Sequence, residues 1–192
     1  LGMGSALRIN RLFWQTFLDD AAFFTAGRGN LIDDVLSTDP ACLDNAIARF
    51  MALADSDGHP LGITPSILLV QPAQLATARR LFVSTEIRDT SLADAIYVTA
   101  NPYQGMYTPE VSAYLSSAAI PRSSATAWWL LADPAVLPVA EIAFLNGQQS
   151  PTVESADVDF NMLGISLRGY HDFGCTLAEY RAGVKSTGDA AE

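Results

Sequence analysis

Hydrophobic and polar positions along this chain change their rhythm, from helical spacing mixed with short apolar runs in the first two thirds to consecutive strand-like runs in the last third. The most informative unit is residues 63–82, ITPSILLVQPAQLATARRLF. Ile67, Leu68, Leu69 and Val70 form an unbroken apolar run, which predicts a short strand covered on both faces. Pro72 follows at the position where a helix starts cheaply, because its missing N–H would have had no intrahelical partner. Leu75, Ala78 and Phe82 then recur three and four apart, predicting a helix with one apolar face.

The same reading predicts a helix over residues 7–24, with Leu7, Trp14, Leu18 and Ala21 on one side, broken by Gly27, Gly29 and Asn30. Asp39-Pro40 reads as a cap and a first-turn proline. A second helix over 41–53 places Leu43, Ile47, Phe50 and Ala54 on one stripe, and ADSDGHP ends it in a cluster of turn formers. Residues 84–94 read as a loop and 95–100 as a strand. Residues 103–125 are ambiguous: 109–119 has helical character, while five Ser and two Pro suggest an excursion. Strands are expected over 127–132, 139–145, 158–163 and 165–177. Asn146-Gly147 is a hairpin signal in the polar connection between the second and third of these, and 186–192 is a solvated tail. Interleaved helices and strands followed by consecutive strands make this an α+β chain.

Composition narrows the classes. With 192 residues, 49% apolar and 17% charged, the chain has ample material for a core. Eleven basic residues scattered among twenty-one acidic ones, for a net charge of −10, argue against a surface that tracks nucleic-acid phosphates. No apolar run approaches the roughly 20 residues of a membrane span, and the start lacks a signal-peptide layout. Cys42 and Cys175 have no partner at metal or redox spacing and are expected to be buried small hydrophobes, which fits manufacture in the cytoplasm.

Catalytic and ligand-binding patterns are weak. His59 belongs to a turn. His171 lies near Asp172 and Cys175, but on one strand His171, Phe173 and Cys175 would share a face with Asp172 pointing away, an arrangement better explained by packing. Asp55, Asp57 and Gly58 open like a calcium loop without its remaining ligands, and Gly27 and Gly29 form no phosphate fingerprint. Arg79-Arg80 complements the negative end of a helix. Asp33, Asp34, Asp39, Asp44, Asp55, Asp57, Glu154, Asp157 and Asp159 read as a solvated face. Of Trp128 and Trp129, one is expected in the core and one at a subunit contact. No catalytic, cofactor-binding or metal residue is assigned.

Taken in order, Asn30, a helix over 43–53, the strand segment Pro65 to Pro72, the helix start Ala73 to Leu81, and Trp128 to Arg181 with its W-x-L-L at Trp128 to Leu131 resemble the major capsid protein of tailed phages, in particular the Mu-like major head subunit. That family has a strand of the form P-x-x-L-(L/V)-V-x-P followed by a helix beginning A-L-x-x-x-A-R-x-L. The resemblance implies the Hong Kong 97-type capsid fold, in which an axial domain (here 38–124) interrupts a strand-rich peripheral domain (1–37 and 125–185). It implies a shell-forming subunit of a phage or prophage head that self-assembles around the genome, not an enzyme.

Its partners would be other copies of itself, with scaffold, portal or maturation protease, and no specific nucleic acid or membrane. Its place would be the virion, after assembly in the host cytoplasm. Tyr103, Met106, Tyr107, Arg122 and Trp128 would contact neighbouring subunits, the loop 103–122 lying near the capsomer axis. The family's N-terminal arm, extended loop and most of its long helix are not readable here, and the opening Leu1 is expected to mark a C-terminal portion, monomeric or weakly associating by itself. The alternatives are a non-viral nanocompartment subunit of the same fold and a small hydrolase using His171 and Cys175.

Overall fold

The computed structural model describes residues 2–37, 41–89, 97–156 and 164–189. In chain order the elements are α1 (Gly2–Leu18), β1 (Leu31–Ile32), α2 (Ala41–Met51), β2 (Ile67–Val70), α3 (Leu75–Val83), β3 (Glu86–Asp89), β4 (Tyr97–Ala100), β5 (Thr108–Val111), β6 (Trp128–Leu131), β7 (Ala140–Phe144), β8 (Thr152–Ala156), β9 (Ser166–Tyr170), β10 (Phe173–Leu177) and β11 (Gly183–Ser186). Five strands form the central sheet in the order β1-β11-β6-β2-β5, and β7–β10, β3–β4 and β8–β9 are separate two-stranded ladders.

The apolar run of β2 is the sheet's interior strand, antiparallel to β6 through Leu68↔Leu130 and Leu69↔Trp129 and parallel to β5 through Leu68↔Pro109. On the other side, β6 pairs antiparallel with β11 through Lys185↔Trp129 and Val184↔Leu130, and β11 runs parallel to β1. Residues directly opposite on neighbouring strands share a face, so Trp129, Lys185 and Leu69 lie together, and Leu130, Val184 and Leu68 lie on the reverse. Both sets are buried apart from Lys185, which is why β2 and β6 read as continuous apolar runs rather than alternating ones. Helix α2 packs on β11 and β6, and α3 on β2 and β5. Helix α1 reaches the core with Phe17, whose ring lies 5.6 Å from that of Trp129, and lays its flank along β10.

Sequence periodicity located β2 to the residue and α2 and α3 to within two or three. Leu43, Ile47 and Phe50 are buried on α2, and Ala54, expected on the same stripe, lies past its end in a bridge to Pro60. On α3 the fully enclosed residues are Ala78 and Leu81, with Phe82 half-buried beside them. The cap at Asp39-Pro40 and the strand expected over 158–163 lie outside the described residues.

Several expectations are corrected. Helix α1 spans Gly2–Leu18 instead of 7–24, because the chain turns at Asp20, whose carbonyl accepts from the N–H groups of Phe23 and Phe24. Part of the expected loop 84–94 is the strand β3, paired with β4. Residues 109–119 are not a helix: β5 occupies 108–111 as an edge strand, where Pro109 is tolerated, and only a short 3-10 turn follows at Ala113–Ser116. The expected strand 165–177 is two, broken at His171 and Asp172 because β9 pairs with β8 and β10 with β7.

Asn146 and Gly147 do adopt the left-handed backbone of a turn (φ 54° and 71°), but β7 takes β10 rather than the next strand as its partner. The polar connection after them contains β8. Cys42 and Cys175 are half-buried rather than enclosed. Ser186, expected at the head of a solvated tail, is buried as the last residue of β11. The boundary expected between 38–124 and 125–185 falls inside the central sheet, with β2 and β5 before it and β6 and β11 after it.

Candidate functional site

The segment from Asn101 to Ala125, which carries four of the five residues expected at subunit contacts, hangs on the open edge of the central sheet. Its root is fixed by the buried Asn101, whose side-chain amide donates to the carbonyls of Leu81 (2.6 Å) and Ser84 (2.8 Å) while its oxygen accepts from the N–H of Tyr103 (2.9 Å). These bonds close the end of α3 and set the direction in which the chain leaves β4. Tyr103 is half-buried, and its hydroxyl donates to the Asp44 carboxylate on α2. Gly105 supplies a left-handed turn (φ 69°), which presents Met106 to solvent and returns Tyr107 to the core against Phe82, with ring centroids 6.2 Å apart. Burial pushes the Tyr107 phenol well above its ordinary range, so it stays protonated, and its oxygen has no hydrogen-bond partner among the described residues.

Beyond β5, Ser112 caps the short turn through the N–H of Tyr114, and the buried Leu115 and Ile120 pin the excursion to the body. Gln71 and Gln74 donate to the carbonyls of Ala125 and Thr126, fixing its far end. Arg122, itself left-handed at φ 62°, is exposed and reaches Asp19 at 3.1 Å, just past α1. The segment is therefore tied at both ends and at its middle, while Met106, Val111 and Arg122 face outward.

Trp128 is placed differently from expectation. Both Trp128 and Trp129 are 0% exposed, because β6 is covered on both faces; neither ring leaves surface for a neighbour. Trp128 donates its indole N–H to the Asp34 carbonyl at 2.9 Å, whereas the Trp129 indole N–H has no partner among the described residues and its ring lies beneath Lys185. Tyr107 is likewise enclosed. Of the five residues, the structure leaves Tyr103, Met106 and Arg122 with accessible surface.

The His171 and Cys175 pair does not form a thiol site. His171 sits between Phe144 and Phe173, its Nδ1 2.5 Å from the Ser5 hydroxyl and its Nε2 3.1 Å from the Gln148 carbonyl. A carbonyl only accepts, so Nε2 carries a proton and donates it, and the ring joins α1 to the junction of β9 and β10. Burial raises the Cys175 thiol above its ordinary value, opposed by a hydrogen bond with Thr16; that shift favours the thiol over the nucleophilic thiolate. Asp55 likewise serves its own turn, its carboxylate accepting from the N–H groups of Asp57 (2.9 Å) and His59 (2.8 Å).

Sequence reasoning missed the polar ties that set this geometry, namely Ser5 with His171, Asn101 at the root of the excursion, and Asp20 with Lys185. Each joins residues distant along the chain, and no local spacing signals them. Asn30 was legible as a breaker but not as a clamp: buried, it donates to the carbonyls of Phe23 and Tyr180 and accepts from the N–H of Thr25.

A family model described as "Phage capsid protein" matches residues 1–186. No curated protein and no solved structure matches the chain. With the match running through every described element, the chain belongs to this phage capsid protein family, and it is a structural subunit of a phage head.

Proposed function

We propose that this chain builds a closed icosahedral shell around a packaged phage genome by self-assembly, with the Hong Kong 97-type fold of the Mu-like major head subunits. The observation that carries this reading is the excursion 101–125, which is bound firmly to its own subunit yet turns Met106 and Arg122 outward from an open sheet edge and leaves Tyr103 part of its surface. A loop tethered by buried hydrogen bonds and buried Leu115 and Ile120 loses little further entropy when a neighbour docks on it, as a repeated contact requires.

In this reading Tyr103, Met106 and Arg122 meet the adjacent copy near the capsomer axis, and Tyr107 and Trp128 support that surface from below. The region around the central sheet takes the axial role, and α1 with the ladders β7–β10 and β8–β9 the peripheral one. Scaffold, portal and maturation protease are the further partners, the host cytoplasm the place of assembly and the virion its destination. The acidic balance fits an inner surface that repels rather than grips packed DNA.

The test is electron microscopy of the protein co-expressed with the genes that neighbour its own. Closed, uniformly sized particles are the expected outcome. Soluble monomers under every co-expression condition, or open aggregates without curvature, would overturn the reading.

A further inference from the structure

We propose that Pro109 closes the open edge of the central sheet, so that a second copy of this chain meets this face through side chains and not by adding its own β5 to the ladder. The inference goes beyond the shell-subunit reading and does not depend on it, since it follows from the backbone register.

The edge is defined by alternation along β5. Thr108 donates its N–H to the Ser66 carbonyl at 2.7 Å and Ser112 to the Val70 carbonyl at 3.2 Å, and β5 runs parallel to β2 with Pro109 beside Leu68 and Val111 beside Val70. In such a ladder the N–H and C=O of one residue face the neighbouring strand, and those of the next residue face away. Thr108, Glu110 and Ser112 therefore turn their backbone groups to β2, and Pro109 and Val111 turn theirs outward. Among the described residues no strand lies on that side, and no hydrogen bond takes up the outward groups. Thr108, Glu110 and Val111 are exposed. An edge of this kind is a template for another strand unless something blocks it.

Proline at 109 removes an outward donor at no loss to the ladder with β2, because the missing N–H would not have faced β2. The effect is largest on the contact that two identical edges would make. A two-fold antiparallel pairing centred on Glu110 sets Pro109 of each copy opposite Val111 of the other. Each Val111 N–H could then reach the opposing Pro109 carbonyl, but neither Pro109 could return a bond. The same register places Glu110 directly against its own copy, a like-charge pair. Centring on Pro109 instead joins two residues that both lack an N–H, and centring on Val111 pairs the strands at their last residue only.

The opposite rim offers no better partner. Lys185 donates to the Asn30 carbonyl and Thr187 to that of Ile32, so β1 turns outward the backbone of Leu31 alone. Both rims of the sheet thus resist extension, β1 by its length and β5 by Pro109 and Glu110. What remains on the β5 side for a second copy is the set of outward side chains, Met106, Val111 and Arg122.

The test compares the full-length protein with Pro109→Thr, Pro109→Ala and the double variant Pro109→Thr/Val111→Pro, by sedimentation velocity, thioflavin T fluorescence and near-UV circular dichroism. Threonine or alanine restores the outward N–H, and proline at 111 removes the other outward N–H without touching a bond to β2. Both single variants should keep the folded near-UV signal and self-associate, with dye-binding β-structure, at concentrations lower than the parent's by about tenfold or more. The double variant should return to the parent's behaviour. Folded single variants that associate no more than the parent would overturn the proposal. So would association that Val111→Pro leaves unchanged, or that only follows loss of the near-UV signal. Particle formation on co-expression is read separately and bears on the shell reading alone.

Discussion

Lys185 on β11 places its ammonium 2.7 and 3.0 Å from the two carboxylate oxygens of Asp20, which follows α1 and is almost wholly enclosed. The pair joins the two ends of the described chain across 165 residues and sits beside Trp129, whose ring lies 5.5 Å from the same ammonium. Burial raises the Asp20 carboxyl above its ordinary value of 3.8, and the hydrogen bond and charge of Lys185 oppose that rise without cancelling it. Desolvation therefore outweighs pairing at this site.

A carboxyl with a raised folded-state pKa binds its proton more readily folded than unfolded. Its contribution to stability is fully present below 3.8 and is lost as pH rises through the folded value. Lys185→Met leaves an unpaired buried carboxylate and should cost about 3–5 kcal/mol at pH 7, a loss that shrinks as pH falls and the carboxyl protonates. Adding Asp20→Asn should recover much of it. Urea unfolding of both variants at pH 7 and pH 5 checks this; a pH-independent loss in Lys185→Met would contradict it.

Asn30 clamps the turn after α1 to Tyr180, 150 residues later. Asn30→Ala removes the donor to the Tyr180 carbonyl and the acceptor of the Thr25 N–H, while the Phe23 carbonyl keeps its bond from the Arg28 guanidinium (3.2 Å); at about 1–3 kcal/mol for each unsatisfied group it should cost roughly 3 kcal/mol. Asn30→Asp should be at least as harmful, since both donated bonds become contacts between acceptors. Thermal unfolding of the two variants against the parent tests the order.

The adjacent tryptophans should respond unequally to the same change. Trp128→Phe removes the bond to the Asp34 carbonyl, whereas Trp129→Phe removes an N–H that has no partner. Both lose ring volume, so the difference isolates the polar contribution, and Trp128→Phe should be the worse by about 1 kcal/mol. Equal losses in denaturant titrations would show that packing alone decides.

On the outward side of the excursion, Arg122→Glu breaks an exposed pair with Asp19 and removes a charge that weakly favours the Asp20 carboxylate, and it should change stability by about 1 kcal/mol at most, as should Met106→Ser. Assembly should suffer far more than folding. The check is particle yield in negative-stain images beside unfolding midpoints; normal particle yield from the double variant would remove these residues from the contact.

Legibility followed the range of the physics. Leu68 and Val70 in β2, and Leu43 and Phe50 in α2, were placed correctly because burial imposes a local period. The edge strand β5 was obscured because Pro109 and exposed Thr108 and Glu110 carry no strand pattern at a rim. Strand β8 was obscured because Thr152, Glu154 and Ser155 are polar, and only pairing with β9 makes them a ladder. The segment 101–125 was legible as an excursion, but not which of its aromatic residues turn inward: Tyr107 and Tyr103 are alike in sequence, and Gly105 between them decides.

By itself the sequence determined the class of the chain, its short buried strand and amphipathic helices, and an acidic balance unsuited to gripping nucleic acid. Each follows from composition or from repeats within a few residues, where the side-chain period and the fold must agree. Only the tertiary structure decided that β11 lies between β1 and β6, that Trp128 and Trp129 are both interior, and that His171 ties a helix rather than serving a thiol. Those outcomes depend on which distant backbones share hydrogen bonds, and pairing across 150 or more residues leaves no periodic trace in the residues that make it.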